Sequence, residues 1–204
     1  TQEGDGYAAM IGGIKGFSTD ANALAAGGVG LGTIPHALIA TYNGDTVAAT
    51  AAFDKYIDPS IARIALVDFD NDCVTTSLAV ARKLGKNLLG VRLDTSGSMV
   101  DKSVQPIMGT FSPTGVCKEL VQNVRKALDA EGFQHVKIIV SGGFDAKKIT
   151  AFEKAGIPVD TYAVGSSFFD GNVNFTADVV LLNGKPCAKA GRQYLPNPKL
   201  ELVK

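Results

Sequence analysis

Between residues 61 and 168 the chain alternates, again and again, a short β-branched run, a turn of small or acidic residues, and a longer segment of helical periodicity. That order restricts the fold more than any other property of the sequence. A strand followed by a crossover helix and a further strand yields parallel neighbours, so an α/β fold with a parallel sheet is expected. The strand runs are Ile64–Val67, Leu88–Leu93, Val136–Val140 and Val159–Val164. The helices between them run to Leu84, from about Val116 to Glu131, and along a face made by Ile149, Phe152 and Ala155. Gly85, Gly132 and Gly156 stand where those helices should stop.

Upstream, Thr33-Ile34-Pro35-His36 follows a Gly-rich segment and announces a helix over residues 36 to 57, broken near Asn43-Gly44, with Thr33 as its cap. Downstream, Ala177–Leu182 turns at Asn183-Gly184 as a hairpin expected to lie outside the main sheet. The 46% hydrophobic content supports one sizeable core. Twenty basic and twenty acidic residues cancel, and no Lys/Arg stripe is present, which argues against a nucleic-acid partner. Cys73, Cys117 and Cys187 are odd in number and widely spaced, so neither a disulfide framework nor a Cys-rich zinc site is expected, and a cytoplasmic setting fits. No apolar run is long enough for a membrane span, and the start at Thr1 reads as a fragment or processed product.

Chemistry is expected where strands end. Ser141-Gly142-Gly143 and Gly165-Ser166-Ser167 follow consecutive strands and offer backbone N–H groups without side-chain obstruction. Glycines merely ending strands would explain one such turn; two at adjacent strand ends point to a phosphate cradle. Asp68, Asp70, Asp72 and Asp94 share that end. Asp70 and Asp72 read as helix caps, whereas Asp68 and Asp94 read either as caps or as carboxylates facing a ribose and a divalent cation. Arg92 shares a strand face with Asp94 and needs an anion, either a substrate group or a structural aspartate. His36, in a helix's first turn, reads as a functional imidazole or as a packed residue. Thr19 reads first as a cap and second as a ligand contact, and His135 as structural.

In this order and spacing, Gly12–Thr19, Gly32–Ile39, Leu66-Val67-Asp68, Val91–Thr95, Ser141–Asp145, Val164–Ser167 and Asn183–Pro186 resemble the nicotinate phosphoribosyltransferases. The resemblance spans most of residues 5 to 192 and implies an irregular or incomplete TIM-like α/β barrel of the type II phosphoribosyltransferase kind. Residues 1–174 would form the phosphoribosyl-diphosphate-binding barrel, and residues 175–204 strands that pack on an N-terminal domain this chain lacks. It implies transfer of phosphoribose to nicotinate in NAD synthesis, with Mg2+ and possible ATP coupling through transient phosphorylation of His36. By the same resemblance Ser141, Gly142, Gly143, Gly165 and Ser166 would hold the 5′-phosphate. Asp68 and Asp94 would face ribose and metal, Arg92 and Thr19 would touch substrate, and the protein would work as a homo-oligomer or with a separate N-terminal chain. The competing readings are a phosphate-binding barrel isomerase or lyase and a catalytically incomplete ligand-binding fragment.

Overall fold

The computed structural model describes residues 2–168 and 177–201. It divides into two compact units, 1–33 and 34–204.

In the N-terminal unit, helix α1 (Gln2–Ile11) packs on α2 (Asp20–Ala23) and the 3-10 turn Leu24–Ala26. The α1 helix was not anticipated from the Gly-rich sequence. Gly6 makes the packing possible, because a Cβ there would lie 2.1 Å from the Asn22 carbonyl oxygen. Thr19 caps α2, accepting the Asn22 N–H at 3.2 Å.

The second unit carries the parallel sheet. Its strands are β1 (Arg63–Leu66), β2 (Leu88–Leu93), β3 (Lys137–Val140) and β4 (Thr161–Tyr162), paired in the order β1-β2-β3-β4. Every pairing is parallel, with Leu66 opposite Arg92, Leu93 opposite Val140, and Val140 opposite Tyr162. Crossovers are α5 (Cys73–Leu84), α6 (Lys118–Ala130) and α7 (Ala146–Lys154). One sheet face packs on these helices: Ala65, Val67, Val91, Leu93, Ile138 and Val140 meet Val80, Leu120, Val124 and Phe152 in the main core. The strands are buried from this side, which accounts for their β-branched composition.

Helices α3 (His36–Thr41) and α4 (Thr46–Tyr56) precede β1, separated at Asn43 and Gly44, whose φ values of 56° and 87° break the helix. The cap of α3 is Pro35 and not Thr33: Pro35 is extended, and no side chain closes this helix's N-terminus. The Ile34 N–H instead donates to Ile64 O at 3.4 Å, so the chain enters α3 alongside β1. A second cluster joins Ile34, Ile39, Ala40, Ala49, Leu66 and Phe69, with Val179 and Cys187 packed against it.

Two further departures from expectation have simple causes. The run 159–164 pairs over only Thr161 and Tyr162, because Ile157–Asp160 is spent on turning out of α7. The tail forms a two-residue hairpin, β5 (Leu181–Leu182) and β6 (Lys185–Pro186), around Asn183 and Gly184 at φ 50° and 75°. This hairpin is separate from the parallel sheet. The boundary expected at 174/175 lies outside the described residues. No helix among the described residues is long and apolar enough to cross a membrane.

Candidate functional site

Parallel pairing puts the C-terminal ends of β1, β2, β3 and β4 along one edge of the sheet, and the candidate residues collect there. Asp68 lies two residues beyond β1, Asp94 one beyond β2, and Ser141 one beyond β3. The turns Ser141–Gly143 and Gly165–Ser167 therefore follow neighbouring strands on the same edge. Gly142 and Gly143 both adopt positive φ, 82° and 72°, and neither N–H donates to another described residue. Those amides remain open to an anion.

The glycine turn and the carboxylates are one structure. Ser141 Oγ donates to Asp94 Oδ1 at 2.6 Å, and a Cβ at Gly142 would sit 3.4 Å from the same oxygen. His36, the first residue of α3, places Nε2 2.9 Å from Asp68 Oδ1. An ionised carboxylate only accepts, so the hydrogen resides on Nε2, leaving Nδ1, which lies 3.9 Å from Asp178 Oδ1.

Asp68 is 1% exposed, and its second oxygen forms an ion pair with Lys189 Nζ. Burial by itself pushes the Asp68 carboxyl up, but the His36 hydrogen bond and the Lys189 and His36 charges outweigh it and hold the group below the usual carboxylate range. Lys189, itself 8% exposed, also donates to the Asp94 carbonyl oxygen at 2.9 Å. Asp178 is held by Arg192 Nε at 2.8 Å. The sequence reading missed Asp178, which falls in the strand-like run Ala177–Leu182, and Lys189 and Arg192, which follow the turn at Asn183-Gly184. A lysine inside the otherwise apolar run Cys187-Ala188-Lys189-Ala190 was the one available signal.

Arg92 stands on β2 in the expected register with Asp94, but no structural aspartate pairs with it among the described residues, and its Nε is buried without a hydrogen-bond partner. Such an orphaned donor suits an incoming anion. Asp72 caps α5 as expected, accepting the Thr75 N–H at 3.2 Å. Asp70 does not; the other acceptor at that helix end is Asp101, fully buried, which takes the Cys73 N–H at 2.9 Å and the Ser103 N–H at 2.8 Å. His135 contacts Gly85 O at 3.3 Å and Phe133, away from these groups in the sheet, at the N-terminal side of β3. Thr19 belongs to the N-terminal unit, where its hydroxyl is a cap. Burial pushes the Cys73 thiol well above its ordinary value, as expected of an inert cysteine.

One ligand atom from each of His36, Asp68 and Asp94 lies within 4.8 Å of the others, a spacing compatible with a cation. The donor chemistry fits a hard divalent ion at Asp94, whose Oδ2 makes no hydrogen bond to the described residues. Asp68 is the less available carboxylate, since one oxygen is hydrogen-bonded to His36 and the other is ion-paired with Lys189.

No family model matches the chain. It is 33% identical over 175 residues to the nicotinate phosphoribosyltransferase pncB1 of Mycobacterium tuberculosis, covering 82% of this chain and 34% of that protein. It is 29% identical over 167 residues to the nicotinate phosphoribosyltransferase of Bacillus subtilis, covering 78% of this chain and 29% of that one. Among solved structures, the crystal structure of nicotinate-nucleotide pyrophosphorylase from Pyrococcus furiosus matches with a TM-score of 0.65 and 38% identity, over 92% of this chain and 44% of that chain. The chain thus spans about a third of the length of the curated relatives it matches. Over that span the chain is similar, in sequence and in fold, to these nicotinate phosphoribosyltransferases and to the nicotinate-nucleotide pyrophosphorylase.

Proposed function

We propose that the chain carries the phosphoribosyl-diphosphate site of an enzyme transferring phosphoribose to nicotinate, giving nicotinate mononucleotide and diphosphate in NAD synthesis. The observation that carries this reading is the pair of small-residue turns on adjacent strand ends, with open Gly142 and Gly143 amides beside a carboxylate rim. The names of the similar proteins support it.

In this reading Ser141, Gly142, Gly143, Gly165 and Ser166 hold the 5′-phosphate. The Asp68 and Asp94 carboxylates stabilise positive charge growing at the ribose carbon as diphosphate leaves. Arg92 offers its unpaired Nε to an anionic substrate group. Magnesium, when bound, neutralises the departing diphosphate, and Asp94 is the residue that would hold it. His36, with Nε2 committed to Asp68, presents Nδ1 for any ATP-coupled phosphorylation. No protein nucleophile is needed at the sugar, because the pyridine nitrogen itself attacks. The four parallel strands belong, in this reading, to an irregular TIM-like barrel, with cytoplasmic location and a homo-oligomer or an N-terminal partner chain.

The buried Lys189 is the one observation that favours a sugar-phosphate isomerase or lyase, which would use a lysine as base or Schiff-base former. That role needs a neutral amine, and Lys189 is instead tied to Asp68 and the Asp94 carbonyl. The transfer reading stands.

Calorimetric titration with phosphoribosyl diphosphate and Mg2+ tests the cradle. Gly142→Val forces a branched residue into positive φ and against Asp94, and should weaken binding by about tenfold or more, at least as much as any single Asp→Asn change. Unchanged affinity in a folded variant removes the cradle. For the base, turnover with nicotinate and not with quinolinate is expected; quinolinate consumption with release of carbon dioxide overturns the assignment.

A further inference from the structure

Asp68 and Asp94 look at first like a matched pair of metal carboxylates, but their surroundings differ. Both oxygens of Asp68 are in use, one on His36 and one on Lys189. Asp94 gives one oxygen to Ser141 and no hydrogen bond from the other to any described residue. A buried ammonium is costly unless it is paired, and Lys189, a residue only 8% exposed, finds its compensation in Asp68 and the Asp94 carbonyl. Its backbone is fixed there as well: the Ala190 N–H donates to Phe69 O at 2.7 Å, next to Asp68, and the Arg192 N–H closes a turn onto Lys189 O at 3.0 Å.

We propose that Lys189 is the resident cation of this site: its ammonium fills the place beside Asp68 that a divalent ion would need, commits Asp68 to His36, and leaves Asp94 as the carboxylate that receives an incoming metal. Two consequences follow from charge alone. A divalent ion at Asp68 would have to displace a buried ammonium or sit against it, and either arrangement is repulsive. Removing the ammonium frees a second carboxylate oxygen within reach of the first, which turns a one-carboxylate site into a two-carboxylate site. Lys189 is thus a positioning residue. It acts through Asp68 and His36.

The inference rests on the transfer reading only for what the metal accompanies, and its test uses Mn2+ alone, followed by electron paramagnetic resonance on the full chain. In the parent protein Asp94→Asn should abolish the Mn2+ site, while Asp68→Asn, which removes no ligand and acts only through the ammonium it leaves unpaired, should weaken it far less. Lys189→Met should tighten Mn2+ by about tenfold, and adding Asp68→Asn to it should cancel the gain. Lys189→Arg keeps the positive charge and should behave as the parent. The proposal is overturned if Asp68→Asn by itself weakens Mn2+ as Asp94→Asn does, or if folded Lys189→Met binds Mn2+ no better than the parent. Should Lys189→Met fail to fold, the Asp68→Asn and Asp94→Asn comparison decides. Failure here leaves the binding of phosphoribosyl diphosphate at the glycine turns intact, and failed transfer activity leaves the Mn2+ result standing.

Discussion

Asp68 shows how environment decides what a carboxylate is. Taken out of water without partners it would hold its proton; with His36 and Lys189 against it the ionised form wins. A carboxyl held below its ordinary value in the native state is protonated first in the unfolded chain, so its contribution is present above about pH 4 and is lost as pH falls through the lower native value. Urea midpoints measured from neutral to acid pH should therefore drop on the acid side, and Asp68→Asn should flatten that part of the curve. A midpoint profile identical in parent and variant would show that the pairing adds nothing. Cys73 gives the opposite sign. Its thiol is fully buried and pushed up, so it should resist thiol reagents in the native protein at mildly alkaline pH, with Cys187, half-buried, labelled first.

Helix α5 shows what local sequence can and cannot announce. Its start at Asp72 and its stop at Gly85 follow from capping chemistry and were readable from neighbours in the chain. Asp101, the buried acceptor at the same helix end, comes from a loop 28 residues away, and only tertiary packing brings it there. The two caps should differ in weight. Asp72→Ala removes an exposed cap and should cost about 1 kcal/mol. Asp101→Ala leaves the buried Cys73 N–H and the half-buried Ser103 N–H unsatisfied and should cost more, about 2–3 kcal/mol, in denaturant unfolding. Equal losses would mean water replaces Asp101. The same division runs through the fold. The strands Leu88–Leu93 and Lys137–Val140 and the helix break at Asn43-Gly44 were plain in the pattern, because β-branched runs and positive-φ residues act locally. The α3 cap and the short β4 were misread, because Ile34's bond to β1 and the exit from α7 depend on where distant segments lie.

The site draws on five separate segments, from His36 through Asp68, Asp94 and Ser141 to the stretch 178–192, which packs through Val179 and Cys187 onto the cluster under Asp68. A helix's first turn revealed His36, and strand ends and turn glycines revealed the next three; nothing periodic revealed the fifth, since a single lysine carries no pattern until its partner is seen. Deleting residues 177–204 removes the ammonium and leaves Asp68 buried without its counter-charge, a change that should cost about 3–5 kcal/mol and lower the melting temperature in calorimetry. A truncated chain as stable as the parent would show that solvent reaches Asp68 instead. The order of these segments also has a meaning during translation. A ribosome releases His36, Asp68 and Asp94 long before it releases Lys189, so Asp68 has no counter-charge to pair with until residue 189 emerges. A polypeptide aborted before that point cannot settle its centre, and stays exposed to quality-control proteases that a chain extending past Lys189 escapes.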